Sequence, residues 1–459
     1  MIREVSMNKF IALLSAAFLL VMIFHVDYLE GNDLQLLKEL NSNIIKLPGG
    51  SPLAYEDKAF LNLDPLFEKA QIIGLGEGTH GTREFFEMKQ RLFQYLVKKH
   101  KCRALGFEYG FRFQKSLQLE KYVTTGKGNL NSIINELHWI HRNREFLGLI
   151  KWMRQYNSDK NKDQMIHFFG IDSQIDTWYQ DELSRHFSEI SKELHQSVFD
   201  ILDKLIKKGK IDYRTLNQEA YQEIRDLLYS LKEKTRQFFL RNPNARERWA
   251  RELLLHNIES HILSHECRFK NYKKEYPRDR HMASHALWLK DLMGGGAKIA
   301  IWAHNAHAAK DPHYSRDGSP AMGKYLQDKL GDKYLAIGTA FSQGKFVAVT
   351  EDYFGKDTKP IVWKLEGHPP ENSINYLFEL AKYKNYIFNI TDLPDTSILY
   401  KHLHTPRPLF GVGDFYSASN PDIHYQEDRI INLVTAYDII IYLSDTNPIT
   451  IKLEGSRKK

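Results

Sequence analysis

Residues 71–97 read QIIGLGEGTHGTREFFEMKQRLFQYLV. The run Gln71 to Leu75 is apolar on both faces and rich in isoleucine, the pattern of a buried strand. A glycine-rich stretch follows, Gly76-Glu77-Gly78-Thr79-His80-Gly81, and then Phe85, Met88, Leu92, Tyr95 and Leu96 recur at helical spacing. Further runs of the first kind are Arg103 to Phe107, Met165 to Ile171, Lys298 to Ala303, Tyr334 to Phe341, Tyr386 to Ile390 and Tyr437 to Leu443. Buried strands alternating with amphipathic helices predict an α/β fold, a largely parallel central sheet flanked by helices. Between 176 and 292 strand-like runs vanish and long charged amphipathic segments take over, which predicts a helical insertion. Residues 31–175 and 293–459 are then the two parts of one catalytic domain, and the insertion either covers the site as a cap or packs beside it with no role toward substrate.

Each of the first four of these strands that could line a crevice ends in a polar group suited to catalysis. The run from Gln71 leads into Glu77 and His80, and the next into Glu108. The third leads into Asp172, and the run from Lys298 into His304-Asn305-Ala306-His307. In open parallel sheets ligands lie outside the carboxyl ends of the strands, so these groups are expected in one crevice. A histidine titrates near neutrality, and a neighbouring carboxylate orients it and raises its basicity. Glu77 and His80 supply that pair, and His304 or His307 could polarise a carbonyl or protonate a leaving alcohol.

Three rival chemistries are legible. Gly76 to Gly81 matches the dinucleotide pattern G-x-G-x-x-G, but Glu77 between the glycines would repel a pyrophosphate, and Glu108 follows later than the usual ~20 residues. Metal ligation by Glu77, His80, Glu108, Asp172, His304 and His307 fits the ligand types zinc or manganese take, although no complete ligand set such as H-E-x-x-H is present. There is no G-x-S-x-G elbow for a serine nucleophile. Cys102 and Cys267 are the only cysteines; they are expected to be buried free thiols. His281 and His285, four apart, read as helix surface.

The composition is that of a globular protein, 42% hydrophobic and 26% charged in 459 residues. The net charge of +7 is spread along the chain without a basic stripe interleaved with aromatics, so no nucleic acid is expected as partner. Residues 1–30 stand apart. Arg3 and Lys9 precede the apolar run Phe10 to Phe24, which reads as a signal peptide or as an uncleaved membrane anchor through residues 10–26. Export to a periplasmic or other extracytoplasmic place is expected either way.

Taken in order, GLGEGTHGTREFFEMKQRLFQYLV (74–97), ALGFEYGF (104–111), FGIDSQ (169–174), IWAHNAH (301–307) and the closing stretch with Arg429 and Tyr437 to Tyr442 resemble the signatures of the erythromycin esterase family. The resemblance runs from about residue 40 to 450. It implies hydrolysis of an ester or lactone by water, with no covalent intermediate and no cofactor. His80 would be the general base, Glu77 its support and Glu108 a holder of the attacking water, while His304 and His307 would line the opposite side and stabilise the oxyanion. The basic residue nine positions after the base, where macrolide-active members tend to carry arginine, is Lys89. With Asp172 and Asn305 it is a candidate for contacting a small-molecule substrate. A metal-dependent hydrolase of peptide or amide bonds, or an iron- or haem-binding protein on the same scaffold, are the alternatives.

Overall fold

Strands that are apolar on both faces leave no side for water, so each face of the sheet needs its own layer of helices. The computed structural model describes residues 31–451, apart from 111–112, 174–186, 189–190, 210, 246, 313–317, 351–358, 418–423 and 425–429. The apolar run Phe10 to Phe24, Arg112, Gln174 and Arg429 lie outside the described residues. Among the described residues no helix is long and apolar enough to cross a membrane.

The main sheet is built from β1 (Ile44–Lys46), β2 (Ile72–Glu77), β3 (Cys102–Gly110), β4 (His167–Asp172), β5 (Lys298–His304), β6 (Tyr334–Ala340), β9 (Asn385–Asn389) and β10 (Ile439–Leu443), in the order β1-β9-β10-β6-β2-β5-β3-β4. The six strands from β10 to β4 are mutually parallel. β9 runs antiparallel to β1 and β10. Residues of β2, β6 and β10 are buried throughout. One face packs Ile73, Leu75, Phe107 and Trp302 against α1 (Arg83–Lys99) through Phe85, Met88 and Leu92. The other packs Ile72, Ile299 and Ile301 against α5 (Arg278–Met293) through Met282, Ala286 and Leu289.

A second, smaller sheet follows β6 at once. β7 (Gln343–Thr350) pairs with β8 (Ile361–Leu365) antiparallel, and with Phe415–Tyr416 and Asp445–Thr446 parallel. Sequence patterning missed these strands because β7 begins with the exposed Gln343 and Lys345, and the strands it pairs with are short and largely exposed.

Between β4 and α5 the described residues are helical: α2 (Lys192–Lys207), α3 (Gln218–Arg241) and α4 (Arg248–Tyr272) share a core of their own around Leu194, Leu202, Leu228, Leu254 and Ile258. Helix α4 also runs along β4, the outer strand of the sheet. Its Trp249 ring lies 4.6 Å from that of His167 at one end, and Ser264 Oγ donates to Ser173 O at 2.8 Å at the other. Covering an open edge in this way removes a template for unwanted strand pairing. The stretch 176–292 therefore holds two kinds of helix, since α5 packs on the sheet itself. This corrects the reading of His281 and His285 as helix surface. Both are 1% exposed, and His285 Nδ1 lies 2.8 Å from His256 Nε2 of α4. Cys102 and Cys267 are free and buried.

The glycines of the 76–81 loop serve packing between protein segments. A Cβ on Gly76 would lie 2.5 Å from Asn305 Oδ1, and one on Gly81 would lie 1.8 Å from Val347 O. The loop is strapped by backbone bonds: Gly78 O accepts from Val412 N at 2.8 Å, and Gly81 O accepts from Val347 N and Ile449 N, both at 3.0 Å. Gly81→Ala must therefore push the second sheet away from the loop. We expect it to cost at least roughly 1–3 kcal/mol, the scale of overpacking, read as a lowered urea midpoint.

Candidate active site

The four strands whose ends carried the predicted groups are neighbours, in the order β4-β3-β5-β2. Their carboxyl ends bring Asp172, Glu108, His304 and Glu77 side by side. Helices from opposite faces of the sheet complete the cluster, α1 with Lys89 and α5 with Arg278 and Asp279.

Glu77 is held from three directions. Its Oε1 lies 2.7 Å from His80 Nδ1, and its Oε2 lies 2.5 Å from Lys89 Nζ and accepts from Trp302 Nε1 at 3.1 Å. Lys89 Nζ also sits 4.2 Å over the Trp302 ring. A carboxylate only accepts, so the proton of a neutral His80 resides on Nδ1 and Nε2 is left as a base. Burial acts to lower the His80 pKa. The hydrogen bond to Glu77 and the negative charges of Glu108, Glu77 and Asp414 outweigh it, leaving His80 above its ordinary value. Lys89 moves the other way. Burial dominates, Glu77 and Glu108 oppose it, and the ammonium is pulled down to about 8.

His304 lies across from His80 with ring centroids 5.1 Å apart. It stands before the single helical turn Asn305–Ala308, and its Nδ1 accepts from Ala306 N at 3.3 Å. The neutral ring therefore carries its proton on Nε2. The two histidines thus have opposite characters, His80 Nε2 an acceptor and His304 Nε2 a donor.

Glu108 Oε2 accepts from His304 N at 2.6 Å, and Oε1 accepts from Arg278 Nη2 at 2.9 Å. Burial pushes its pKa up, but the positive charge of His307, the hydrogen bond to it, and the charges of His80 and Arg278 prevail and hold it well below the usual range. Arg278, absent from the sequence reading, is the hub of this half. Its Nε lies 3.1 Å and 3.2 Å from the two Asp172 oxygens, Nη2 donates to Asp172 Oδ2 at 2.7 Å, and Nη1 lies 3.0 Å from His307 Nε2. Asp279 accepts from His307 Nδ1 at 2.9 Å and from Met322 N at 2.7 Å.

These contacts revise several expected roles. Asn305 does not face a substrate, because its amide pairs with the backbone of Thr339, Nδ2 donating to the carbonyl at 2.7 Å and Oδ1 accepting from N at 3.0 Å. Asp172 is engaged by Arg278. Lys89 is 1% exposed and stands behind Glu77, where it can support the base but cannot anchor a ligand. Both nitrogens of His307 are taken, by Asp279 and by the Arg278–Glu108 pair, and its side chain is 5% exposed. Glu108 forms its salt bridge with Arg278. Only the polar helix start after the proline in Tyr276-Pro277-Arg278-Asp279 hinted at Arg278 and Asp279. Among the described residues no three histidine, cysteine, aspartate or glutamate side chains converge as a metal site requires.

The fold is that of an α/β protein with a mostly parallel central sheet, and at its carboxyl ends a carboxylate-paired histidine faces a second histidine. The erythromycin esterase family profile matches residues 97–446, and the chain belongs to that family. It is similar to YbfO of Bacillus subtilis strain 168, described as a candidate hydrolase, with 23% identity over 428 residues, 85% of this chain and 86% of that one. Erythromycin esterase type II of Escherichia coli is 24% identical over 335 residues, 66% of this chain and 76% of that one. Family and relatives place the chain among hydrolases. Among solved structures, a Bacillus cereus protein superposes with a TM-score of 0.76 at 23% identity, covering 92% of this chain and all of that one. A histidine mutant of the erythromycin esterase EreC in its open conformation gives 0.60 at 18% identity, covering 86% and 96%.

Removing Arg278 takes from the buried carboxylates of Asp172 and Glu108 the guanidinium they share. Arg278→Met is expected to destabilise the fold by about 3 kcal/mol, the scale for breaking one side of a buried ion pair. Pairing it with Asp172→Asn should recover part of that loss, since the two residues share one interaction. Urea unfolding of the single and double variants measures both.

Proposed function

We propose that this hydrolase cleaves a carboxylic ester or lactone by direct attack of water, with His80 as general base. The observation that carries the reading is the opposed pair of tautomers, a base at His80 Nε2 and a donor at His304 Nε2, with rings 5.1 Å apart. Water placed between His80 and Glu108 gives its proton to His80 Nε2 as its oxygen bonds to the carbonyl carbon. The carbonyl oxygen gains negative charge and is met by His304 Nε2–H, an oxyanion donor. Collapse breaks the bond to the leaving oxygen, which takes the proton held by His80, so an acid and an alcohol depart. Glu77 keeps His80 in the working tautomer and stabilises the imidazolium formed in the first step. The protein acts on a small molecule, and in this reading the run Phe10 to Phe24 exports the chain or anchors it outside the cytoplasm, which cell fractionation with and without residues 1–30 tests.

His80→Asn should lower kcat by at least about a hundredfold on any ester the protein turns over, the usual worth of a general base. Full activity in that variant would sink the proposal. Hydrolysis should also persist in a chelator, whereas loss of turnover restored by added zinc or manganese would favour the metal-dependent alternative.

The pH profile follows from the two shifted groups. The base works deprotonated, and its pKa is raised, so kcat/KM should climb to its plateau above pH 6.5. Lys89 works protonated, so kcat/KM should fall as pH passes about 8 and Glu77 loses its counter-ion. Arginine stays charged far above that pH. Lys89→Arg should therefore move the falling limb upward by a unit or more, and an unchanged limb would remove Lys89 from the account.

A further inference from the structure

Segment 447–451 crosses the starts of two helices and grips both in the same way. Its backbone pairs antiparallel with the catalytic loop at Thr82 and Pro448. There Ile449 N donates to Gly81 O at 3.0 Å, and Arg83 N donates to Asn447 O at 2.8 Å. Pro448 occupies the position whose N–H this pairing leaves unused, which is where a proline fits. Three residues further on the contact recurs. Asn143 bridges Ile451, and Arg144 N donates to Thr450 O at 3.1 Å. The first N–H groups of a helix have no partner within it. Asn447 O therefore completes the start of α1, and Thr450 O completes the start of the helix Arg144–Asn157.

The second residue of each helix closes the grip. Glu84 Oε2 accepts from Asn447 N at 2.7 Å, and its Oε1 accepts from Asn447 Nδ2 at 3.0 Å. Glu145 accepts from Thr450 N at 3.0 Å. The repeat is written in the chain as Arg83-Glu84-Phe85 and Arg144-Glu145-Phe146. The two helices are fixed to one another, with the rings of Phe93 and Trp152 5.8 Å apart. Glu84 is 8% exposed, and its bonds to the segment are charge-assisted, the stronger kind. Gly81, the residue after His80, has no side chain to lock its place, so the backbone bonds to Val347 and Ile449 must do so.

Resting on the hydrolytic reading of the site, we propose that Glu84 is a positioning residue for that reaction: through Asn447 it holds segment 447–451 against Gly81, and so sets His80 on Glu77 and opposite His304.

Glu84→Gln tests this, because whichever way the amide turns, one of its N–H groups meets an N–H of Asn447. It should lower kcat about tenfold, the effect of a displaced catalytic group, while KM stays within about twofold. Adding Asn447→Asp sets donor against acceptor again, and the double variant should return to within about threefold of wild-type kcat. NMR of the protein labelled with 15N-histidine reads His80 without turnover, at a pH above the rising limb. The wild-type His80 signal, identified by its loss in His80→Asn, should report the proton on Nδ1. Glu84→Gln should move it toward a mixture of tautomers, and the double variant should restore it. An unmoved signal in Glu84→Gln overturns the role, as does a kcat within about twofold of wild type. So does a loss that the double variant fails to recover, since that is the mark of lowered stability alone. Should Glu84→Gln fail to fold, the milder Asn447→Ala must move the signal the same way, and an unmoved signal there overturns the role. If His80→Asn keeps its activity, or no ester is turned over, the hydrolytic reading falls, and the His80 signal alone decides whether Glu84 holds the loop.

Discussion

Burying charge at the carboxyl ends of four adjacent strands is the constraint that organises this molecule. Taking a carboxylate or an ammonium out of water costs several kcal/mol per ion unless partners replace the lost hydration. Glu77, Asp172 and Asp279 are each less than a tenth exposed in their side chains, and Glu108 is 10% exposed. One sheet face cannot supply enough positive charge to all of them. The chain solves this with Lys89 from α1 on one face and Arg278 from α5 on the other, so the two helical layers meet through the charges they share.

That arrangement also fixes proton positions. Glu77 claims the Nδ1 proton of His80, while the backbone N–H of Ala306 claims the Nδ1 lone pair of His304. Two identical side chains thus acquire opposite roles from their neighbours alone, as the rule that the second ring nitrogen sets the tautomer requires. His307, with a carboxylate on one nitrogen and the Arg278–Glu108 pair on the other, is a brace between α5 and β3.

The helical region is linked to this chemistry through continuity of the chain. Helix α4 covers the β4 edge and ends six residues before α5 opens with Arg278 and Asp279. Its buried histidines and those of α5 face one another, as His256 and His285 do. A disturbance of α4 therefore bears on the position of Arg278, and through it on Glu108.

Much of this was legible in the chain. Apolar runs such as Ile72 to Leu75 and Ile299 to Ala303 determined buried strands, because a segment with no polar face must be covered on both sides. The polar groups after them marked the strand ends, and Glu77 and His80, three apart, could be paired by their proximity alone. Arg278 could not be paired in this way: it stands 170 residues from Glu108 and 106 from Asp172, and no local pattern reports such distances. The antiparallel sense of β9 was hidden for a related reason, since alternation and hydrophobicity are the same in either direction. Lys89 and Asn305 looked like ligand contacts until burial and backbone pairing claimed them. Sequence determined which residues could carry the chemistry; only tertiary structure decided which of them face a cleft, because hydrogen-bond partners far along the chain must be in place before a polar group is free or spent.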